Sequence, residues 1–156
     1  DGLTGIFNRK TFIEKAEQSL KESDDTVCLH FIDIDYFKSI NDNFGHVYGD
    51  RVLAEICALL QPMLNEGAFM GRMGGEEFAV ILRNTDAKSS LMLGERIRSS
   101  VEEKPFQFEK HSISVTISVG ISTLADGNFA TSSDLLARSD ACLYKSKQDG
   151  RNRVTS

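Results

Sequence analysis

Apolar and polar positions alternate along this chain with two different periods. Helical spacing of apolar residues predicts helices over about residues 8 to 21, 48 to 64, 86 to 103 and 132 to 148, with a short helix near 37 to 42. Thr131, Ser132, Ser133 and Asp134 are candidate caps for the last helix. The predicted inward-facing stripes consist of Phe12, Ile13, Ala16, Leu20, Val52, Leu53, Ile56, Leu60, Met63, Leu93, Ile97 and Val101.

Four other segments have the patterns of strands. Residues 27–34 are nearly all apolar, which is typical of a central strand buried on both faces. Residues 113–121 alternate apolar and small polar positions, which predicts one half-buried strand. Strands over 69–73 and 76–82 flank Gly74-Gly75, which predicts a hairpin whose two-residue primed turn uses both glycines at positive φ.

The order of these elements predicts an α+β fold with a mostly antiparallel central sheet flanked by helices. Periodicity alone does not distinguish one α+β sandwich from another.

The predicted hairpin carries two adjacent carboxylates, Glu76 and Glu77, at the edge of the sheet. A pair held in this way suits a hard cation such as Mg²⁺, which binds one or two carboxylates together with phosphate oxygens. The alternative is a solvent-exposed hairpin with two charged residues.

A second acidic segment ends the buried strand. Asp33 and Asp35 are two residues apart and share one face if the strand continues. A carboxylate at the end of a buried strand is costly unless it meets a cation or hydrogen-bond donors. Lys38 and the start of a helix follow, and such a corner can bind metal and phosphate. We therefore expect a two-part carboxylate site, with the hairpin as its second part.

Residues 72–78, Arg-Met-Gly-Gly-Glu-Glu-Phe, resemble the signature of GGDEF domains, the diguanylate cyclases, in the variant with Glu at the third position. Four further blocks agree in order and spacing, which makes the resemblance far more specific than one motif. They are residues 1–9 (with Gly2 in place of Pro), 33–50, 118–121 and 144–152. The resemblance covers the whole chain, 1–156, as one catalytic domain. It implies the ferredoxin-like palm that is shared with class III nucleotidyl cyclases and many polymerases.

The resemblance implies that Asp33, Glu76 and Glu77 are catalytic carboxylates that bind metal together with the Ile34 carbonyl. The expected cofactor is Mg²⁺, two ions per active site, with Mn²⁺ as a substitute. Glu76 is also a candidate acceptor for the proton of a 3′-hydroxyl. The alternative for Asp33 is that it caps the next helix. Asp35 is expected to have a local role, such as orienting Lys38 or accepting backbone N–H groups.

The resemblance also implies that Asn41 and Asp50 read guanine, which favours GTP over ATP. An Asn amide both donates and accepts, and an Asp accepts from the N1–H and 2-amino edge. The alternative is that Asn41 ends a short helix and that Asp50 sits in the first turn of the next one, where the helix dipole favours it.

Phosphate binding is expected from Lys38, Lys147 and Arg151 and from the backbone amides of Tyr36 and Phe37. Lys147 and Arg151 are four residues apart near a helix end, which predicts that they share one face. The alternative is an ordinary solvated helix face. Gly74 and Gly75 of the hairpin complete the expected substrate-binding residues.

One feature of many family members is absent. Where they carry an Arg-x-x-Asp product-binding motif, this chain has Asn65-Glu66-Gly67-Ala68. Without Arg there is no bidentate donor for the product. We expect no feedback inhibition through that site.

Composition narrows the classes of function. The chain has 156 residues, 40% hydrophobic and 26% charged, with a net charge of −5. These values are typical of a globular domain and argue against a nucleic-acid-binding surface. Cys28, Cys57 and Cys142 have no disulfide or metal spacing and are expected in the core, as in a reducing cytoplasm. No segment has the length of a membrane span or the features of a signal peptide.

The resemblance implies condensation of two GTP into cyclic di-GMP and two pyrophosphates, across a homodimer of half-sites. A catalytically silent GTP-binding regulatory domain and another nucleotidyl cyclase are the alternatives. The chain opens without Met on the family's first motif, so we expect a piece of a longer signalling protein with an upstream sensor or receiver module. It would be cytoplasmic, or the cytoplasmic part of a membrane-anchored sensor.

Overall fold

The computed structural model describes residues 1–22, 26–126 and 131–156, which form both helices and strands. The helices are α1 (Arg9–Glu22), α2 (Phe37–Phe44), α3 (His46–Leu60), α4 (Ala87–Glu103) and α5 (Ser132–Gln148). The strands are β1 (Phe7–Asn8), β2 (Val27–Ile34), β3 (Phe69–Gly74), β4 (Glu77–Arg83), β5 (Phe106–Phe108), β6 (His111–Ile113), β7 (Ile117–Thr123) and β8 (Val154–Thr155). Short 3₁₀ turns cover Gln61–Met63 and Leu124–Asp126.

Six strands form the central sheet in the order β1-β3-β4-β2-β7-β8. The three inner pairings are antiparallel, and the two-residue strands β1 and β8 add parallel edges. Strands β5 and β6 pair separately as a small hairpin. The predicted α+β fold with a mostly antiparallel sheet flanked by helices is confirmed.

The central strand β2 is buried along its whole length and separates two cores. Its even-numbered residues, such as Ile32, face a core that contains Val52 and Ile56 of α3 and Ile97 of α4. Its odd-numbered residues, such as Phe31, face a second core with residues of α1 and α5. Each fully buried side chain of this kind contributes about 1.5–3 kcal/mol of hydrophobic stabilisation. Side chains at positions 33 and 35 therefore continue the face of β2 that α5 covers.

Helix α5 lies directly on the backbone of β7. A Cβ atom at Gly120 would collide with the Ser139 carbonyl oxygen and the Leu143 amide nitrogen of the helix. The Ser146 hydroxyl also donates to the Val119 carbonyl at 2.9 Å. Small residues on both elements thus allow a close approach of helix and sheet.

The predicted capping of the last helix is confirmed. Thr131 is the N-cap, and its hydroxyl oxygen accepts the Asp134 N–H at 3.2 Å. The Asp134 carboxylate accepts the Thr131 N–H at 3.0 Å in return. This reciprocal capping box satisfies two N–H groups that a helix start leaves without intrahelical partners.

The prediction of one strand over 113–121 is wrong. The segment contains the end of β6, a connection at 114–116 and the start of β7. Alternation continues through the break because Val115 is buried while Ser114 is exposed. A period of two therefore cannot reveal where hydrogen bonding to the sheet stops.

Two other boundaries differ from the predictions. The helix predicted over 48–64 begins at His46 and gives way to a 3₁₀ turn at Gln61, because Pro62 has no N–H for an α-helical bond. The hairpin turn is formed by Gly75 and Glu76, since Gly74 already pairs with Glu77. Of these two turn residues, only Gly75 has positive φ, 46°.

Candidate active site

The two predicted acidic segments meet at one end of the sheet. Asp33, only 6% exposed, pairs across the sheet with Glu77 of β4 on one side and Ser118 of β7 on the other. The Ile34 N–H donates to the Glu76 carbonyl at 3.4 Å. The structure therefore brings together the end of β2 and the hairpin that carries both glutamates.

Asp33 lies in an environment that disfavours its ionised form. Burial raises the pKa of Asp33 to about 6, although the hydrogen bond and charge of Lys147 oppose this shift. The Lys147 Nζ lies 2.8 Å from the Asp33 Oδ2. The negative charges of Glu76 and Glu77 raise the pKa further. A second cation near Asp33 would stabilise the ionised forms of these three carboxylates.

The donor set at this edge fits a hard divalent ion that is shared with a ligand. In the described part of the chain, no three His, Cys, Asp or Glu side chains are arranged to hold a metal ion by themselves. Mg²⁺ commonly uses one or two carboxylates and completes its coordination with water and phosphate oxygens. Asp33 and Glu77, which are paired in register on the neighbouring strands β2 and β4, match this partial set of ligands.

Tyr36 forms the corner between β2 and α2. It has left-handed backbone angles, φ 56° and ψ 29°, and its ring is exposed. Among the described residues, α2 has no side-chain cap, so its first N–H groups face the corner. Lys38 is exposed in the first turn of α2, and Phe37 is buried, so Phe37 can offer only its backbone to a ligand.

Arg151 also reaches this corner, but not by the predicted route. The prediction that Lys147 and Arg151 share a helix face is wrong, because α5 ends at Gln148. The chain then turns through three residues with positive φ: Gly150 at 115°, Arg151 at 65° and Asn152 at 46°. The turn places the Arg151 guanidinium 4.7 Å from the centroid of the Tyr36 ring, a cation–π contact.

Asn41 has an unusual environment on α2. Its Oδ1 is buried and accepts no hydrogen bond from any described residue. Gly49 of α3 makes room for it, since a Cβ atom at position 49 would collide with that oxygen. An unsatisfied buried acceptor costs about 1–3 kcal/mol, and a ligand donor can recover this cost.

Asp50 is exposed on α3. Because α3 begins at His46, its first turn contains no acidic residue, and Asp50 comes one turn later. The alternative that the helix dipole explains Asp50 is therefore wrong, since this effect is confined to the first turn.

Gly74 and Gly75 are exposed at the end of the hairpin, where Gly74 is the last residue of β3 and Gly75 the first residue of the turn, and Arg72 fixes this turn in place. The Nε and Nη2 atoms of Arg72 donate to the Gly75 carbonyl at 3.0 and 2.8 Å. Its Nη1 lies 3.5 Å from Asp1 Oδ1, which links the tip to the beginning of the chain.

Asp35 accepts a backbone N–H, as expected for a local role: the Asn152 N–H donates to its Oδ2 at 3.0 Å. Asn152 was not predicted as a site residue. The only sequence signal for it is its position in the last motif block.

A sequence profile of the family described as "Diguanylate cyclase, GGDEF domain" matches residues 1–153. The chain belongs to the GGDEF domain family. The matched range includes strand β2 with Asp33 and the hairpin with Glu76 and Glu77.

Two relatives and one solved structure illustrate the similarity. The probable diguanylate cyclase DgcF of Escherichia coli K12 is 36% identical over 160 residues, which cover 100% of this chain and 50% of that protein. Diguanylate cyclase A of Treponema denticola is 43% identical over 134 residues, covering 86% of this chain and 36% of that protein. The GGDEF domain of DgcB from Caulobacter crescentus, solved in complex with c-di-GMP, has a TM-score of 0.93 and 34% identity, covering 99% of this chain and 93% of that one.

This GGDEF chain thus spans about half or less of the length of these curated relatives.

All three of its cysteines are buried, as predicted. Across the described residues, no helix combines the length and the apolar character that crossing a membrane requires.

Proposed function

We propose that this GGDEF domain is a diguanylate cyclase that condenses two GTP molecules into cyclic di-GMP and two pyrophosphates. The observation that carries the proposal is the cross-strand pairing of buried Asp33 with Glu77, beside Lys147. Carboxylates and a lysine at one sheet edge suit a nucleoside triphosphate bound with a divalent cation.

Each residue has a distinct task in this proposal. Asp33, the Ile34 carbonyl, Glu76 and Glu77 hold Mg²⁺, two ions per active site, with Mn²⁺ as a substitute. When bound, the metal supplies positive charge to the triphosphate and lowers the pKa of the attacking hydroxyl. Phosphate oxygens are bound by Lys38, Lys147, Arg151, the Tyr36 and Phe37 amides and the hairpin tip at Gly74-Gly75.

Guanine is read by Asn41 and Asp50. The buried Asn41 Oδ1 accepts from the base, which satisfies an oxygen with no partner among the described residues. A site built around such hydrogen bonds discriminates strongly against a base that leaves them unmade. We therefore propose GTP, not ATP, as the substrate.

The reaction forms one phosphodiester bond in each of two steps. The 3′-hydroxyl oxygen of one GTP bonds to the α-phosphorus of the other, and the bond from that phosphorus to the β-phosphate bridge breaks. Pyrophosphate leaves, and the hydroxyl proton passes to a base, for which Glu76 is the candidate. Repetition with the roles exchanged closes the ring, so that two GTP give one cyclic di-GMP and two pyrophosphates.

One domain holds one GTP, so two copies must face each other. The rate per domain should therefore fall steeply on dilution. We propose that an upstream sensor or receiver module in a longer cytoplasmic or membrane-anchored protein sets this encounter. The relatives, of which this chain covers half or less, support that proposal.

The test is incubation of the domain at high concentration with GTP and Mg²⁺, followed by chromatography of the products. Glu76→Ala is the inactive comparison, and ATP is the substrate control. We expect cyclic di-GMP from GTP alone, none from the variant and none from ATP.

A domain that binds GTP but forms no product would fit the alternative, a catalytically silent GTP-binding regulator. Fusing a dimerising coiled coil to the chain distinguishes weak pairing from silence. A fused dimer that binds GTP and still makes no cyclic di-GMP would contradict the proposed activity.

A further inference from the structure

Asp35 is a buried carboxylate whose oxygens receive three hydrogen bonds. It is 4% exposed. The Ser118 hydroxyl donates to its Oδ1 at 2.7 Å, and the Thr116 hydroxyl donates to its Oδ2 at 2.7 Å. The third donor is the backbone N–H of Asn152, at 3.0 Å from Oδ2. Asp35 thus ties the end of β2 to β7 and to the turn that follows α5.

The side chain of Asn152 is held from the other side by α4. Its Oδ1 accepts from the Arg98 Nη1 at 2.8 Å, and its Nδ2 donates to the Glu102 Oε1 at 2.8 Å. Arg98 and Glu102 are themselves paired at 2.6 Å. Asn152 is therefore fixed through both its backbone and its side chain.

Arg151 lies between these anchors. Its N–H donates to the Ser146 carbonyl at 2.9 Å, and its guanidinium rests on the ring of Tyr36. Both Arg151 and Tyr36 have positive φ, a conformation that non-glycine residues keep only when their surroundings impose it. Tyr36 directly follows Asp35, and Arg151 directly precedes Asn152. The Asp35–Asn152 hydrogen bond therefore links the residue next to Tyr36 to the residue next to Arg151. It connects the two strained backbone segments that present the aromatic ring and the guanidinium.

We propose that Asp35 is a positioning residue that holds Arg151 over Tyr36, where the guanidinium meets the β- and γ-phosphates of GTP, which GMP lacks. The inference rests on the proposed function, since it requires Arg151 to contact phosphate. Loss of the acceptor removes the backbone anchor of Asn152 and leaves only its side-chain contacts with α4, so that the 150–152 turn can relax and Arg151 can move away from the corner. The nucleoside part of the substrate, at Asn41 and Asp50, does not depend on this hydrogen bond.

The test compares the affinities for GTP and GMP, measured by calorimetry with Mg²⁺, in Asp35→Ala, Asp35→Asn, Arg151→Ala and the Asp35→Ala/Arg151→Ala double variant. We expect Asp35→Ala and Arg151→Ala each to weaken GTP binding by about tenfold or more, which is the effect of losing a hydrogen bond to a charged group. The affinity for GMP should stay nearly unchanged in both variants. The double variant should be no weaker than either single variant, because both changes remove the same contact.

Asp35→Asn is the conservative variant. Its amide oxygen can accept from Thr116 and Asn152, and its NH₂ can donate to the Ser118 oxygen, so it should keep most of the GTP affinity. Asp86→Ala removes a carboxylate that caps α4 away from the site. It controls for destabilisation: it should lower the melting temperature without changing the ratio of GTP to GMP affinity.

If Asp35→Ala weakens the binding of GTP and of GMP equally, Asp35 has only a structural role and the inference is overturned. An unchanged GTP affinity in Arg151→Ala would contradict the proposed phosphate role of Arg151, and the positioning role with it. If Arg151→Ala weakens GTP binding but Asp35→Ala does not, the positioning role of Asp35 is overturned, while the proposed phosphate role of Arg151 stands. If Asp35→Ala fails to fold, hydrogen exchange in the natural chain decides: rapid exchange of the Asn152 amide would mean that Asp35 does not hold the turn.

Discussion

Lys147 and Asp33 form an ion pair of 2.8 Å at the edge of the sheet, although 113 residues separate them in the chain. Lys147 is in the last turn of α5, and Asp33 is at the end of β2, on the face of the sheet that α5 covers. The pair brings a lysine and three nearby carboxylates into one charged cluster. Such a cluster has the groups needed to bind both a cation and a phosphate.

Replacement of Lys147 by Met should weaken GTP binding. The variant keeps the aliphatic stem but loses the charge, and a hydrogen bond to a charged partner contributes about 1.5–3 kcal/mol, or about 10- to 100-fold in affinity. Equilibrium titration with GTP and Mg²⁺ measures the change. Lys145→Met is the matched control, because Lys145 is an exposed lysine on the same helix. Equal affinities for the two variants would exclude Lys147 from the phosphate site.

Replacement of Gly49 by Ala should reduce the preference for guanine. The added methyl group would occupy the position of the Asn41 Oδ1 and displace the amide that is proposed to read the base. The affinities for GTP and ATP, measured side by side, should become more similar, mainly because GTP binding weakens. Gly2→Ala is the control, since a Cβ atom at position 2 meets no described atom within 4 Å. A variant with its selectivity intact would show that Asn41 does not read the base.

The unfolding free energy should depend on pH through His30. Burial lowers the pKa of His30 from 6.5 to about 4, so the unfolded chain binds this proton more readily than the folded one. The stability contribution is complete above pH 6.5 and is lost as the pH falls towards 4; the whole shift corresponds to about 3 kcal/mol.

Urea unfolding of the natural chain and of His30→Gln, from pH 4 to 7, tests this dependence. The variant removes the titrating group but keeps a polar side chain beside the Ser90 hydroxyl, which lies 2.7 Å from the His30 Nε2. The difference in unfolding free energy between the natural chain and the variant should grow with pH across that window. His46→Gln is the control, because His46 is exposed at the start of α3. A pH-independent difference for His30→Gln would contradict the effect of burial.

Cyclic di-GMP should not inhibit this chain through residues 65–68. In the structure the Asn65 Nδ2 donates to the Thr85 hydroxyl at 3.3 Å, and the segment offers no guanidinium to the product. Titration of cyclic di-GMP into a GTP turnover assay should show only the weak inhibition expected of product at the active site. The double variant Asn65→Arg/Ala68→Asp restores both charged anchors and provides the comparison. Tight inhibition of the natural chain that disappears when residues 65–68 are changed would contradict the expectation.

Local patterns predicted most of the fold. The boundaries of β2 and α5 were predicted correctly, because a continuous apolar run defines the first and a capping box begins the second. The two-residue strands β1 and β8 were not predicted, since two residues carry no period. The β5–β6 hairpin was missed because the alternation of residues 113–121 continues past the break.

The sequence predicted that the end of β2 and the hairpin form one candidate site, and the structure brings these two elements together, but the position of Arg151 beside them was not predicted. The motifs indicated Asp33, Glu76, Glu77 and Lys147. The contact of Arg151 with Tyr36, in contrast, depends on three successive positive φ angles after α5, which no helical spacing predicts. The hydrogen bond between Asp35 and Asn152 joins residues 117 positions apart, so only the folded chain reveals it.

Gly120 determines the height at which α5 can rest on the sheet. Any side chain at this position would have to share space with the helix backbone at Ser139 and Leu143, so the helix would be lifted as a rigid rod. Lys147 lies about one turn beyond Leu143 on the same helix and would be lifted away from Asp33 with it. The distance between the Lys147 ammonium and the Asp33 carboxylate therefore depends on a residue that has neither a charge nor a side chain.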